Sequence, residues 1–328
     1  MTTPLPKTSV YALGLTAALA CVAPFLYAAE APAPATPAAP VAAPVAAPVA
    51  APVPPVLAVP RPSAADIATL NSAFKKMLLK EDPSLQSLFA QYPDIATFPV
   101  PRNIAIIPNL NPGFNTKHQA NVEIAKKGDI DVLFMGDSIT DFWRVDDPAT
   151  KHNGKAVFDK YYGNMKVANF GISGDSTQGV LYRLQNGEGQ GFQPKVIMLM
   201  IGTNNAATNT SAEIAEGIGA IVLEMRKDFP NAKILLLGIF PRAKPGDAVR
   251  KTVLDVNPLI AKLDDGKNVF YLDIGPKFLD ADGIIQPDIM GDATPLHPTE
   301  KGYEIWAEAV KEPLANLLAG KPLNATAK

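Results

Sequence analysis

The sequence predicts an α/β fold: a parallel sheet covered by helices on both faces. Two observations carry this reading. After Phe114, apolar runs of strand length alternate with longer stretches of helical period. Within each run the apolarity is continuous rather than alternating, so each strand is buried on both faces, the condition of a parallel sheet between helical layers.

The five strand candidates are residues 130–135, 166–170, 195–201, 232–240 and 269–274. Helical segments lie between them. The clearest runs over "SAEIAEGIGAIVLEMRKDFP", with Thr210 or Ser211 as its cap and Pro230 beyond its end. Residues 253–263 also read as helix, and Pro258 inside them predicts a kink or a break.

What precedes this domain is of a different kind. At 328 residues the chain can hold one large domain or two ordinary ones. Lys7 is followed by an almost uncharged apolar stretch, residues 8–29, broken by Pro24. This predicts an export signal over residues 1–31, or a retained membrane anchor of the same length. Membrane contact is expected only if that segment stays uncleaved, and the location expected is periplasmic or extracellular. Residues 32–62 are almost only Ala, Pro and Val, with "VAAP" repeated at Val41, Val45 and Val49. Such spacing of proline stops helix and sheet alike and favours an extended spacer, about 90 Å at full stretch. A folded domain is therefore expected to start after Pro62.

Residues 63–114 read as a helical extension. Ser63 offers a cap, and Asp82 with Pro83 a stop; the prolines between Pro83 and Pro112 predict irregular packing against the main domain, residues 115–320.

Composition removes several functions. The formal charge of −2, with no basic stripe, offers no counterion release to nucleic acid. Cys21 is the only cysteine, which rules out an internal disulfide or a cysteine metal cluster. "GEGQGF" at Gly187 follows a helical segment rather than a strand and lacks dinucleotide spacing, so it is a connector. No cofactor and no metal are expected.

In open parallel sheets ligands bind beyond the carboxyl ends of the strands. The first strand ends in Gly136, Asp137 and Ser138, the second in "NFGISGDST" and the third in "IGTNN". Three consecutive strand ends thus carry glycine beside small polar groups able to hydrogen-bond a ligand.

"FMGDSIT" with Ser138, "NFGISGDSTQGVLYRLQNGE" with Gly174, "IGTNN" with Asn204 and "LHPTEKGYEIWAEAV" with His297 resemble the four blocks of the SGNH, or GDSL-type, hydrolases. The second block is similar to the catalytic subunits of platelet-activating factor acetylhydrolase and their bacterial relatives. The resemblance covers roughly residues 115–317. It implies a flavodoxin-like three-layer α/β/α sandwich around a five-stranded parallel sheet, and hydrolysis or transfer of acyl esters without a metal. It also assigns Ser138 as nucleophile, His297 as base, and an oxyanion hole made of the Ser138 and Gly174 amides and the Asn204 side chain.

The residue types suit those roles. A serine needs a base within hydrogen-bond reach, and a histidine titrates in the right range. Gly174 lets its amide approach a substrate closely, and Asn204 donates without adding charge. The other two histidines, His118 and His152, lie in polar segments, where surface or helix-cap roles are expected.

The third triad member departs from the family pattern. The family places Asp three residues before the histidine, where this chain has Thr294. Asp292 is the preferred orienting acid, with the two extra residues bulging outward; Thr294, a main-chain carbonyl and Asp288 are the alternatives. Phe142 and Trp143 suit an acyl pocket or the core equally, and Trp306 the core. The reading that emerges is an exported serine esterase acting on short acyl esters, acetyl above all, with polysaccharide as the candidate acceptor. A phospholipid-type acylhydrolase, an acyltransferase and an inactive envelope-binding module are the competing readings.

Overall fold

A parallel sheet of five strands in the order β2-β1-β3-β4-β5 organises the molecule, and all five predicted strands are in it. They are β1 (Val132–Gly136), β2 (Val167–Asn169), β3 (Val196–Met200), β4 (Lys233–Leu237) and β5 (Val269–Leu272). The computed structural model describes residues 49–99, 102–147, 149–321 and 323, which fall in one unit running from Ala47. The predicted signal segment, and the spacer up to residue 48, lie outside the described residues.

Continuous apolarity in the strands has the expected consequence. Leu133, Met135, Ile197, Leu199, Ile234 and Leu236 point to one core, while Val132, Phe134, Met198, Met200 and Leu235 point to a second on the opposite face. The first core is closed by α6 (Thr177–Arg183), α7 (Ser211–Asp228) and α8 (Ala248–Ile260), and the second by α5 (Lys155–Tyr162) and α9 (Glu300–Leu318). The result is the three-layer α/β/α sandwich. Trp143 and Trp306 are both fully buried in the second core, their rings 5.1 Å apart, so Trp143 is a core residue and takes no part in an acyl pocket.

Local signals set the helix ends. Helix α1 (Ala64–Glu81) starts at Ser63, whose hydroxyl accepts from the Asp66 amide while Asp66 answers the Ser63 amide; Asp82 then ends it. Helix α7 is capped by Thr210 rather than Ser211, because Glu213 closes the same reciprocal pair with Thr210. Pro258 falls in the last turn of α8, where the chain tightens into a 3-10 turn at Ala261–Leu263. Helix α8 starts at Ala248, five residues before the expected position, because Asp247 caps it. Short helices α2 (Gln86–Gln91), α3 (Asn115–Lys127) and α4 (Ser138–Asp141) complete the set.

One boundary is corrected. The last stretch of the supposed spacer packs on the domain: the Ala51 amide donates to Ile106 O at 2.7 Å, and Ala51 and Leu57 are buried in the first core. Arg61 forks onto Glu216 at 2.8 and 2.6 Å, and the Val59 amide adds a third donor at 2.8 Å. Glu216 sits buried on α7 and requires such partners. Nothing in an Ala/Pro/Val run announces a carboxylate more than 150 residues away, so the folded unit begins before Pro62.

Candidate active site

Strand order reverses at β1, which has β2 on one side and β3 on the other, and this is where crevices open in such sheets. Beyond β1 the chain turns sharply into α4. Gly136 permits the turn: a Cβ there would lie 2.2 Å from Thr140 Oγ1 and 2.4 Å from Met200 O. Asp137 caps α4 by accepting from the Ile139 amide at 3.0 Å, and Ser138 follows as its first residue, 5% exposed.

Ser138 Oγ is 2.9 Å from His297 Nε2, and His297 Nδ1 is 2.9 Å from Asp292 Oδ2. His297 lies ahead of α9. It precedes the Thr299 cap in the loop that follows β5, tied down by the Gly291 amide donating to His297 O at 3.2 Å. The two extra residues do bulge, and Pro295 O accepts from the Ala243 amide at 2.7 Å. Ala243 has φ 56°, the one positive φ of a non-glycine among the described residues, so strained backbone holds the acid-bearing loop. Asp288 is spent elsewhere, on Lys301 at 2.6 Å.

The oxyanion candidates gather at the same edge. The Ile172 amide donates to Gly136 O at 3.2 Å, and Ser173 Oγ to Asp141 at 2.7 Å, binding the loop after β2 to the turn carrying Ser138. Gly174 takes φ +84° in that loop, a conformation glycine adopts without strain. Asn204 follows β3 in a 3-10 turn and donates from Nδ2 to Asp175 O at 2.7 Å, which leaves its second N–H free to meet a ligand.

Two expectations about histidine are corrected. His118 is neither at the surface nor a cap; it is buried on α3 with Nδ1 2.9 Å from Glu188. Glu188 also pairs with Arg183, which is fully buried and donates from Nε to Asp175 at 2.9 Å. The "GEGQGF" connector thus supplies the carboxylate of a buried network under the Gly174 loop. His152 lies at the site itself, Nε2 3.0 Å from Asp292 Oδ1, its ring centre 5.1 Å from that of His297. Phe142 packs on both rings, at 4.9 Å from His297 and 6.0 Å from His152. A single histidine in a charged insert carried no sequence signal for this placement.

Burial lowers the pKa of His297 below its ordinary 6.5; Asp292 opposes this, while His152 and Arg242 reinforce it. A base that stays neutral is what the serine needs. Asp137 is pushed up to about 7 by burial. His152, Asp292 and His297 present ligand atoms within 4.8 Å of one another, a donor set that a divalent cation could use, though Asp292 and His297 are hydrogen-bonded to each other, His297 to Ser138, and His152 lies 3.0 Å from Asp292.

A cleft of about 490 Å³ borders Gly174, lined by Asn109, Asn111, Phe114, Ser176 and Gln178. Among the described residues, no helix is long and apolar enough to cross a membrane.

The family model described as "GDSL-like Lipase/Acylhydrolase family" matches residues 134–305. The chain is 36% identical over 208 residues to platelet-activating factor acetylhydrolase IB subunit alpha2 of Rattus norvegicus, covering 63% of this chain and 86% of that protein. It is 34% identical over 216 residues to the alpha1 subunit of Mus musculus, covering 64% and 88%. Among solved structures, it is similar to a member of the lipolytic G-D-S-L family from Veillonella parvula, with TM-score 0.47, 22% identity and coverage of 56% and 97%. A carbohydrate acetylesterase from Sinorhizobium meliloti matches with TM-score 0.43 and 20% identity, covering 57% and 98%.

Proposed function

The chain belongs to the GDSL-like lipase/acylhydrolase family of ester hydrolases, and from that premise we propose that it is an exported serine esterase removing short acyl groups, acetyl above all, from carbohydrate hydroxyls. The observation that carries the reading is the unbroken row from Ser138 through His297 to Asp292, with both links at 2.9 Å.

The reaction follows from the row. Asp292 accepts from Nδ1–H, which leaves the Nε2 lone pair facing Ser138. As Ser138 Oγ attacks the acyl carbon, its proton passes to Nε2 and the carbonyl electron pair becomes an oxyanion. The amides of Ser138 and Gly174 and the free N–H of Asn204 are the donors that receive that charge. Collapse of the tetrahedral intermediate breaks the bond to the alcohol oxygen, which takes the proton from Nε2. Water then gives a proton to Nε2, attacks the acyl-serine, and the carboxylic acid leaves as the Ser138 hydroxyl re-forms.

Three features support the finer reading. The relatives named acetylhydrolases support a short acyl group. The amide-rich cleft beside Gly174, with Phe114 on its wall, suits a sugar, which needs both hydrogen-bond partners and a flat apolar face. Lys7 and the apolar residues 8–29 support export. The names of the same relatives favour a second reading, an acetylated phospholipid as substrate. An inactive binding module has no use for a serine hydroxyl held against a neutral imidazole.

Turnover of p-nitrophenyl esters from acetate to laurate, by the full chain and by Ser138→Ala, tests the reaction. Hydrolysis falling with chain length and lost in the variant is expected. No turnover by the parent between pH 5 and 9, or equal turnover by Ser138→Ala, would sink the esterase. Release of acetate from acetylated xylan, compared with release from acetylated phospholipid vesicles, decides between the two substrates.

A further inference from the structure

The carboxylate of Asp292 serves two imidazoles, one on each oxygen. Oδ2 faces His297 Nδ1 at 2.9 Å, and Oδ1 faces His152 Nε2 at 3.0 Å. His152 comes from the loop between α4 and α5, far in sequence from the loop carrying Asp292, so local chain geometry does not bring the two together. We propose that His152 is a positioning residue for ester hydrolysis: it packs its Nε2 against the second oxygen of Asp292 and thereby fixes the carboxylate against which His297 is oriented. This rests on the serine-esterase reading above.

Three observations support it. First, Asp292 needs a second anchor. Its loop carries two residues more than the family pattern, and its side chain is only partly buried, at 27% exposed. A carboxylate held through one oxygen alone can rotate about its Cβ–Cγ bond and lose the Nδ1 contact. Second, one ring nitrogen of His152 is turned to the carboxylate. His152 Nδ1 is buried without a hydrogen-bond partner among the described residues, whereas Nε2 lies 3.0 Å from a carboxylate oxygen. Third, the ring is itself fixed, lying against Phe142 at 6.0 Å with the planes 25° apart. The same Phe142 ring packs on His297, so one side chain sets the orientation of both imidazoles.

The charged groups around this pair are few. His297 faces Asp292, His152 and Arg242. His152 faces Asp292 and His297, while the side chain of neighbouring Lys151 lies over Gly291. Removing His152 takes away both a contact to Asp292 and the electrostatic influence by which His152 lowers the pKa of His297. Both changes make His297 easier to protonate, so the acid limb of the rate should move to higher pH.

The test compares the parent with His152→Ala, His152→Gln and Asp292→Asn on p-nitrophenyl acetate, recording kcat, KM, the pH profile and Tm. Losing a close contact to the charged Asp292 in the transition state predicts kcat about 10- to 100-fold lower for His152→Ala with KM little changed. Gln, whose side-chain amide can reach the same oxygen, should recover most of the loss. The acid limb should rise in pH for Ala and rise less for Gln. If His152 merely pins its loop, both variants lose Tm with kcat and the limb unchanged, which overturns the proposal. If Asp292→Asn is itself silent, the triad reading fails, a result distinct from a silent His152 beside a crippled Asp292. Treatment of the parent with EDTA should leave its rate unchanged; a loss matching that of His152→Ala would mean that the residue acts through a metal ion, and would overturn the positioning role.

Discussion

Asp292 Oδ2 accepts twice from His297, from the backbone amide at 2.7 Å and from the ring Nδ1 at 2.9 Å. The main-chain bond closes the bulged loop on itself, and the ring bond sets the tautomer. One oxygen therefore fixes both the place and the protonation of the base, which is how a loop two residues too long still delivers a carboxylate to the imidazole.

Replacing Asp292 by Asn should lower kcat by about 10³- to 10⁴-fold, because an amide placed against Nδ1 favours the wrong tautomer. The fold should persist, since the loop keeps the Met290 to Pro298 bridge and the bond from Ala243 to Pro295. Thr294→Ala should be close to neutral. Steady-state kinetics with melting curves on both variants check this; a large loss in Thr294→Ala alone would move the orienting role to that residue.

The pH dependence has a definite sign. His297 works when neutral, and burial holds its pKa below 6.5, so kcat/KM should rise with pH through a limb centred below that value. In Asp292→Asn the group that opposes the shift is gone, and the limb should fall further. A parent limb centred above 6.5 would mean that the neutral imidazole is not favoured as the packing around it implies.

Asn204→Ala should cost about 10²- to 10³-fold in kcat, the usual effect of losing one oxyanion donor. KM should change little, because the amide meets charge that exists only in the transition state. An effect on KM alone would make Asn204 a ground-state binding residue instead.

How much of this was legible depends on how far each interaction reaches. The strands, the caps at Ser63 and Thr210, and the edge holding Ser138, Gly174 and Asn204 follow from periodicity and from turns a few residues long, which a sequence displays directly. Asp292 could be weighed against Thr294 but not chosen, since loop shape decides which group meets Nδ1. His152, the His118 to Glu188 pair and the Arg61 to Glu216 fork join residues 70 to 155 apart or more. Such contacts leave no local periodicity: the two histidines sit among polar neighbours that suggest a surface, and Arg61 sits between two prolines at the end of a spacer-like run.

Arg183 is the strongest case of a residue whose role only packing reveals. It lies fully buried between Asp175 and Glu188, beneath the loop that presents Gly174. Arg183→Met would leave two buried carboxylates without their cation, and breaking such a pair costs about 3–5 kcal/mol. Urea unfolding should show a loss of that order, with activity falling in the folded fraction as the Gly174 loop loses its support. A variant with stability unchanged would show that the network is solvated and carries little.

Asp137 yields the last prediction, and it runs against the usual expectation for a carboxylate at a helix start. Its burial pushes the pKa up to about 7 from an ordinary 3.8, with Asp175 adding to the shift and Arg242 opposing it. Between these values the folded chain holds a proton that the unfolded chain has released, so stability falls as pH rises from about 4 to about 7, then stays level. Asn at this position keeps the acceptor for the Ile139 amide and is as good a cap, without a charge to bury. The stability of Asp137→Asn relative to the parent should therefore grow across that interval, by on the order of 4 kcal/mol at roughly 1.4 kcal/mol per pKa unit. Groups common to both proteins cancel in the difference. Urea midpoints for the two proteins at intervals from pH 4 to 9 measure it; parallel curves would show that Asp137 is ionised throughout, stabilised by contacts stronger than the single backbone donor and the distant guanidinium.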